Sequence, residues 1–130
     1  MNELNLYRCL VFTSLLVLFS SSIAAKEAGS PGWTEASEKL GRVLFCQRIY
    51  KRPEVRPRLY SFDIEHCEKA RLYMTDVMSK YSIQEQADLE KQAEQHATQL
   101  SRNTAEPYHS VSACRTFCQA LAEIQDTLND

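Results

Sequence analysis

Glycine is nearly missing from this 130-residue chain: Gly29, Gly32 and Gly41 are all there are, and none follows position 41. A backbone turn at positive φ after that point would strain a side chain. Phosphate-cradling loops, dinucleotide fingerprints and the G-x-S-x-G elbow of hydrolases need glycines that are not there. Cys-x-x-Cys is also absent, which excludes a thioredoxin-like exchange site and, with it, the Cys-x-x-Cys-His attachment of covalent haem. No stretch alternates apolar and polar residues for long enough to read as a strand. Excess charge of one sign is missing too: the formal net charge is −2, with 44% hydrophobic and 25% charged residues. That balance fits one soluble globular domain and gives no reason to expect a nucleic-acid partner.

Long apolar runs are confined to the start. Residues 1–25 pass from a short polar stretch with Arg8 through Leu10-Val11-Phe12 to the small residues Ser20-Ser21-Ser22-Ile23-Ala24-Ala25. This reads as a secretory signal peptide cleaved after Ala24 or Ala25. A retained anchor is the competing reading, but serines dilute the end of the run and no basic stop-transfer cluster follows it directly. Cleavage would remove Cys9 and leave an even set, Cys46, Cys67, Cys114 and Cys118, which in an exported chain is expected to form two disulfides. The periplasm is the favoured compartment and the extracellular space the alternative.

Residues 26–33 hold Gly29, Ser30, Pro31 and Gly32 and read as a loose leader, so the folded domain is expected over 34–130. Thr34 can cap a first helix with an inner face of Leu40, Val43, Leu44, Cys46 or Gln47, and Ile49 or Tyr50. Gly41 within it marks either a close helix contact or a tolerated weak point. Pro53 and Pro57 end the pattern, and 51–58 reads as an extended connector. A second helix from about Ser61 or Asp63 carries Ile64, Cys67, Ala70 or Arg71, Met74, Val77 or Met78, and Tyr81 on one stripe. Ser82-Ile83-Gln84-Glu85 is a capping box. It opens a third helix whose inner positions, Leu89, Ala93, Ala97 and Leu100, are few and mostly small. After Pro107 a last helix places Cys114, Phe117, Cys118, Leu121, Ile124 or Gln125, and Leu128 on one face. The fold expected is all-α: a small four-helix up-down bundle stapled by two disulfides.

The cysteines act as a ruler. Cys46 and Cys67 are symmetric about the proline connector, so an antiparallel hairpin brings them to the same height. Cys114 follows the last helix start by a few residues, which gathers all four sulfurs at one end. Cys114 and Cys118 lie one turn apart on one face, and their side chains run parallel, so a bond between them would strain the helix. Each is therefore expected to reach a different neighbour, one to Cys46 and one to Cys67, with the pairing left open by the sequence. Structural zinc is the sharper alternative, but Cys-x3-Cys on one helix is not a finger spacing. No cofactor is expected.

Candidate chemistry is thin. His66, His96 and His109 share no spacing, and His109 near Ser110 and Ser112 lacks an elbow and an orienting acid. An enzyme is not expected. Charge placement says more: Arg42, Arg48, Lys51, Arg52, Arg56 and Arg58 are opposed by Glu54 alone, whereas residues 83–106 are net acidic. Arginine beside Tyr50, Tyr60 and Phe62 supplies forked donors and planar area, the materials of contact surfaces. A solvated loop has the same composition, and exposure and geometry must separate the two. The expected partner-binding residues are Arg48, Lys51, Arg52, Arg56, Arg58, Tyr50 and Tyr60. The expected partner is a protein, acidic at its contact, with an anionic envelope component as the second possibility. The function expected is that of a small exported binding module of inhibitor, immunity or adaptor type. The alternative is a periplasmic carrier or chaperone in which Met74, Met78 and aromatics line an apolar cavity or contact surface.

Overall fold

The computed structural model describes residues 31–129. The expected signal peptide and the leader as far as residue 30 lie outside the described residues. Helix α1 spans Pro31–Tyr50, α2 Ser61–Met78, α3 Ile83–Asn103 and α4 Val111–Asn129, with short 3-10 turns at Arg56–Arg58 and Pro107–Ser110. The protein is an all-α up-down bundle stapled by Cys46–Cys114 and Cys67–Cys118. The two bridges leave the four sulfurs unavailable to a metal, and among the described residues no group of three or more His, Cys, Asp or Glu is placed to hold one.

Helix α1 starts three residues before the expected cap. A proline is tolerated in the first turn because its missing N–H has no intrahelical partner there. Trp33, Ala36, Leu40, Val43, Cys46 and Ile49 then form its buried side. Ser82 opens α3 as predicted: its hydroxyl accepts from the Glu85 N–H at 3.2 Å, and the Glu85 carboxylate accepts from the Ser82 N–H at 3.3 Å.

Chain neighbours run antiparallel, so the start of α1 (Gly32, Ala36, Lys39) shares a shallow groove with the end of α2 (Tyr73, Val77) and Lys80 of the turn that follows. The most extensive packing nevertheless joins alternate helices, α1 with α3 and α2 with α4. Small residues explain the first pair. Leu89, Ala93 and Ala97 of α3 are fully buried, and a Cβ added to Gly41 would lie 2.6 Å from the Cβ of His96 and 3.0 Å from the carbonyl oxygen of Ala93. Gly41 is thus a close helix contact, and not a weak point that the helix tolerates. The second pair runs in parallel register: Asp63 meets Arg115, and one turn further along both helices Cys67 meets Cys118.

The α2 stripe differs from the expected one at its start. Asp63, Cys67, Ala70, Met74 and Met78 face inward, and Ile64 is exposed. A carboxylate displaces an isoleucine here because it is neutralised by an arginine from α4 and caps its own helix. In α4 the alternative Gln125 is the buried one and Ile124 faces outward, and Leu128 departs from the expected face in being exposed.

Residues 51–58 are not the extended connector the prolines suggested. The Val55 N–H and the Arg56 N–H both donate to the Arg52 carbonyl at 3.1 Å, and the Val55 side chain is fully buried. The segment is a compact turn pinned to the core by one apolar plug.

Candidate functional site

The loop, the start of α2 and the start of α4 meet at the disulfide-bearing end of the bundle. Their hub is Arg115, a residue that the sequence did not single out. Its Nε donates to Asp63 Oδ1 at 2.9 Å and its Nη2 to Asp63 Oδ2 at 2.8 Å, a bidentate charge-assisted pair. Nη2 also lies 3.4 Å from the Arg58 carbonyl, tying the loop to α4. The Tyr60 N–H donates to Asp63 Oδ2 at 2.8 Å, so one carboxylate anchors α4 and caps α2. Burial alone would raise the Asp63 pKa, but the hydrogen bonds from Arg115 and the Tyr60 N–H, with the guanidinium charge, hold it below its ordinary 3.8.

The guanidinium plane of Arg115 lies over Tyr60, 4.3 Å from the ring centroid. Tyr60 stacks on Phe62 with centroids 5.3 Å apart, and Phe62 in turn contacts the His66 ring at 5.3 Å. Arg58 covers the Tyr108 ring at 4.5 Å. These planar groups are held in place yet remain open to solvent: Tyr60 is 59% exposed, Phe62 41% and the neighbouring Ile64 51%. Among the described residues, Lys51, Arg56 and Arg58 meet no carboxylate, and Arg52 reaches only Glu54, at 3.8 Å.

Two of the expected contact residues are engaged within the fold. Arg48 turns to α3 and forms an ion pair with Glu94, so it braces the α1–α3 pair. Tyr50 is 3% exposed, because the last turn of α1 directs it into the core near Asp63 and Arg115. Its hydroxyl is buried without a hydrogen-bond partner, and burial, reinforced by the Asp63 charge, pushes its pKa up to about 12. Lys51, Arg52, Arg56, Arg58 and Tyr60 do share this end of the molecule. Phe62 extends the set as the sequence suggested; Ile64, Tyr108 and Arg115 are additions that only the tertiary arrangement brings in.

Beside the aromatic stack runs a groove of about 370 Å³ between α1 and α2. Gln47, Tyr50 and Lys51 form one wall, Ile64, Cys67 and Glu68 the other, and Arg56 closes the end. Glu68 is exposed and, among the described residues, pairs with no cation.

The remaining sequence candidates do not assemble into a catalytic set. His96 faces Glu38 on α1 at 3.8 Å, and His109 lies 3.2 Å from Glu106 with its ring edge-on to Tyr108. Neither Ser110 nor Ser112 hydrogen-bonds to His109 among the described residues. Met74 and Met78 are core residues, 1% and 6% exposed. No helix among the described residues is long and apolar enough to cross a membrane. Two disulfides fit a non-reducing environment. No family model, curated protein or solved structure matches the chain.

Proposed function

We propose that this chain is a small exported binding module that recognises another protein, acidic at its contact, through the loop and α2 start at the disulfide end. The observation that supports this most directly is the exposed Tyr60–Phe62 stack beside Lys51, Arg56 and Arg58, cations with no carboxylate partner of their own among the described residues. Aromatic rings and guanidinium groups held rigid before contact lose little conformational freedom on binding, and such groups dominate the energetics of protein interfaces. The two bridges keep the surface in shape, and oxidised sulfurs agree with a place of work in the periplasm or outside the cell.

The test is capture from native extract with the chain as bait, run in parallel with the Arg52→Glu, Arg56→Glu, Arg58→Glu triple variant. A specific protein retained by the former and lost by the latter, with retention falling as salt rises, supports the reading. Retention of the same protein by both baits would overturn it. Loss of anionic vesicle binding in the triple variant, with no protein captured by either bait, would move the function to an envelope lipid.

A further inference from the structure

We infer that the groove between α1 and α2 binds the free C-terminus of the partner chain, with its carboxylate between Lys51 and Arg56 and an apolar last side chain against Ile64, beside Cys67. This rests on the proposed protein-binding function and names the part of the partner that is read.

Three properties of the groove lead there. Its volume of about 370 Å³ is near the lower end of what ligand sites enclose, so it takes one or two residues and not a long segment. Its charges are mixed: Lys51 and Arg56 supply two cations at one end, while Glu68 stands unpaired on the opposite wall. A strongly acidic segment would be repelled by Glu68, but a single carboxylate followed by backbone N–H groups satisfies both ends, with Glu68 and the Gln47 amide accepting from the N–H donors. The third property is the apolar wall. Ile64 and Cys67 line the same short groove as the two cations, so the ligand must carry its carboxylate and its apolar group close together. A C-terminal residue has both on one Cα. An internal glutamate holds its carboxylate two methylenes out and has its apolar neighbours a residue away.

The probe is a hexapeptide, Ser-Gly-Ser-Gly-Ala-Leu, prepared as the free acid and as the C-terminal amide and titrated into the isotopically labelled protein while amide resonances are followed. The free acid is expected to shift Gln47, Lys51, Ile64 and Glu68, and the amide to bind at least tenfold more weakly. Lys51→Met with Arg56→Met should weaken the free acid by a similar factor. Ile64→Trp, a surface change that fills the groove without touching the core, should abolish the shifts. Equal binding of acid and amide, or no shifts with the acid at millimolar concentration, overturns the inference. N-acetyl-leucine binding as tightly as the hexapeptide also overturns it, and makes the groove a site for a small free acid. If Ile64→Trp still captures the partner while the triple arginine variant does not, the binding function stands and the groove is not its seat.

Discussion

Asp63 and Arg115 lie 52 residues apart in the chain and form a bidentate pair in which the carboxylate is fully buried and the guanidinium side chain is 25% exposed. This one contact joins α2 to α4, caps α2 through the Tyr60 N–H and fixes the plane on which Tyr60 rests. Removing the cation alone would strand a buried anion, so Arg115→Met should destabilise the fold by about 3 kcal/mol. Replacing both residues with leucine should lower that deficit to about 1 kcal/mol, the remainder reflecting the lost cap. Urea titrations of the two variants check the ordering, and a double variant less stable than the single one contradicts it.

Acid sensitivity follows from the same carboxylate. The Asp63 pKa is lower in the fold than its ordinary 3.8, so the unfolded chain takes up the proton first as pH falls. Its contribution is fully present above about pH 4 and is lost as pH drops below that value. Asp63→Asn should therefore be less stable at neutral pH and show a shallower acid limb than the parent in thermal melts between about pH 2 and 6.

At the alkaline end the buried Tyr50 contributes. With its pKa pushed up to about 12 in the fold against 10.0 unfolded, the parent should lose stability as pH rises above about 10. Tyr50→Phe removes both this decline and an unsatisfied buried hydroxyl, and should gain about 1 kcal/mol near neutrality. Equal alkaline limbs in the two proteins would show that another group governs the decline.

The disulfides close loops of 68 and 51 residues. Because loop entropy grows only with the logarithm of length, each bridge should contribute about 4 kcal/mol and the two should differ by less than about 0.5 kcal/mol. Guanidinium unfolding of Cys46→Ala/Cys114→Ala and of Cys67→Ala/Cys118→Ala measures both.

Gly41→Ala raises helix propensity by about 1 kcal/mol, yet its Cβ would meet His96 at 2.6 Å. Helices α1 and α3 must part, and the net effect should be a loss of about 1–2 kcal/mol. His96→Ala keeps the clashing Cβ and should not rescue the variant, which distinguishes backbone crowding from a lost imidazole contact.

What the sequence made legible follows from what local spacing can encode. Helix number, the Ser82–Glu85 cap and the cross-helix use of the cysteines are set by residues within a few turns of each other, together with the length of the connections. Which of Cys114 and Cys118 meets Cys46 depends on a shift of one turn between helices, and spacing leaves that free. The burial of Asp63 in place of Ile64 depends on Arg115, a partner that no local pattern points to. Tyr50 shows the same limit: its phase on α1 offered it as an inner position and its basic neighbours offered a surface role, and only the packed helices put it in the core. Val55 likewise converts a proline-marked connector into a folded turn by burying one side chain.

Both bridges end on α4 and both begin on the α1–α2 hairpin. A protease that nicks the exposed turn at Ser79–Lys80 therefore releases nothing: the halves on either side travel together on a gel until a reductant parts them into two bands. Backbone scission at this turn and loss of the folded surface thus become separate events.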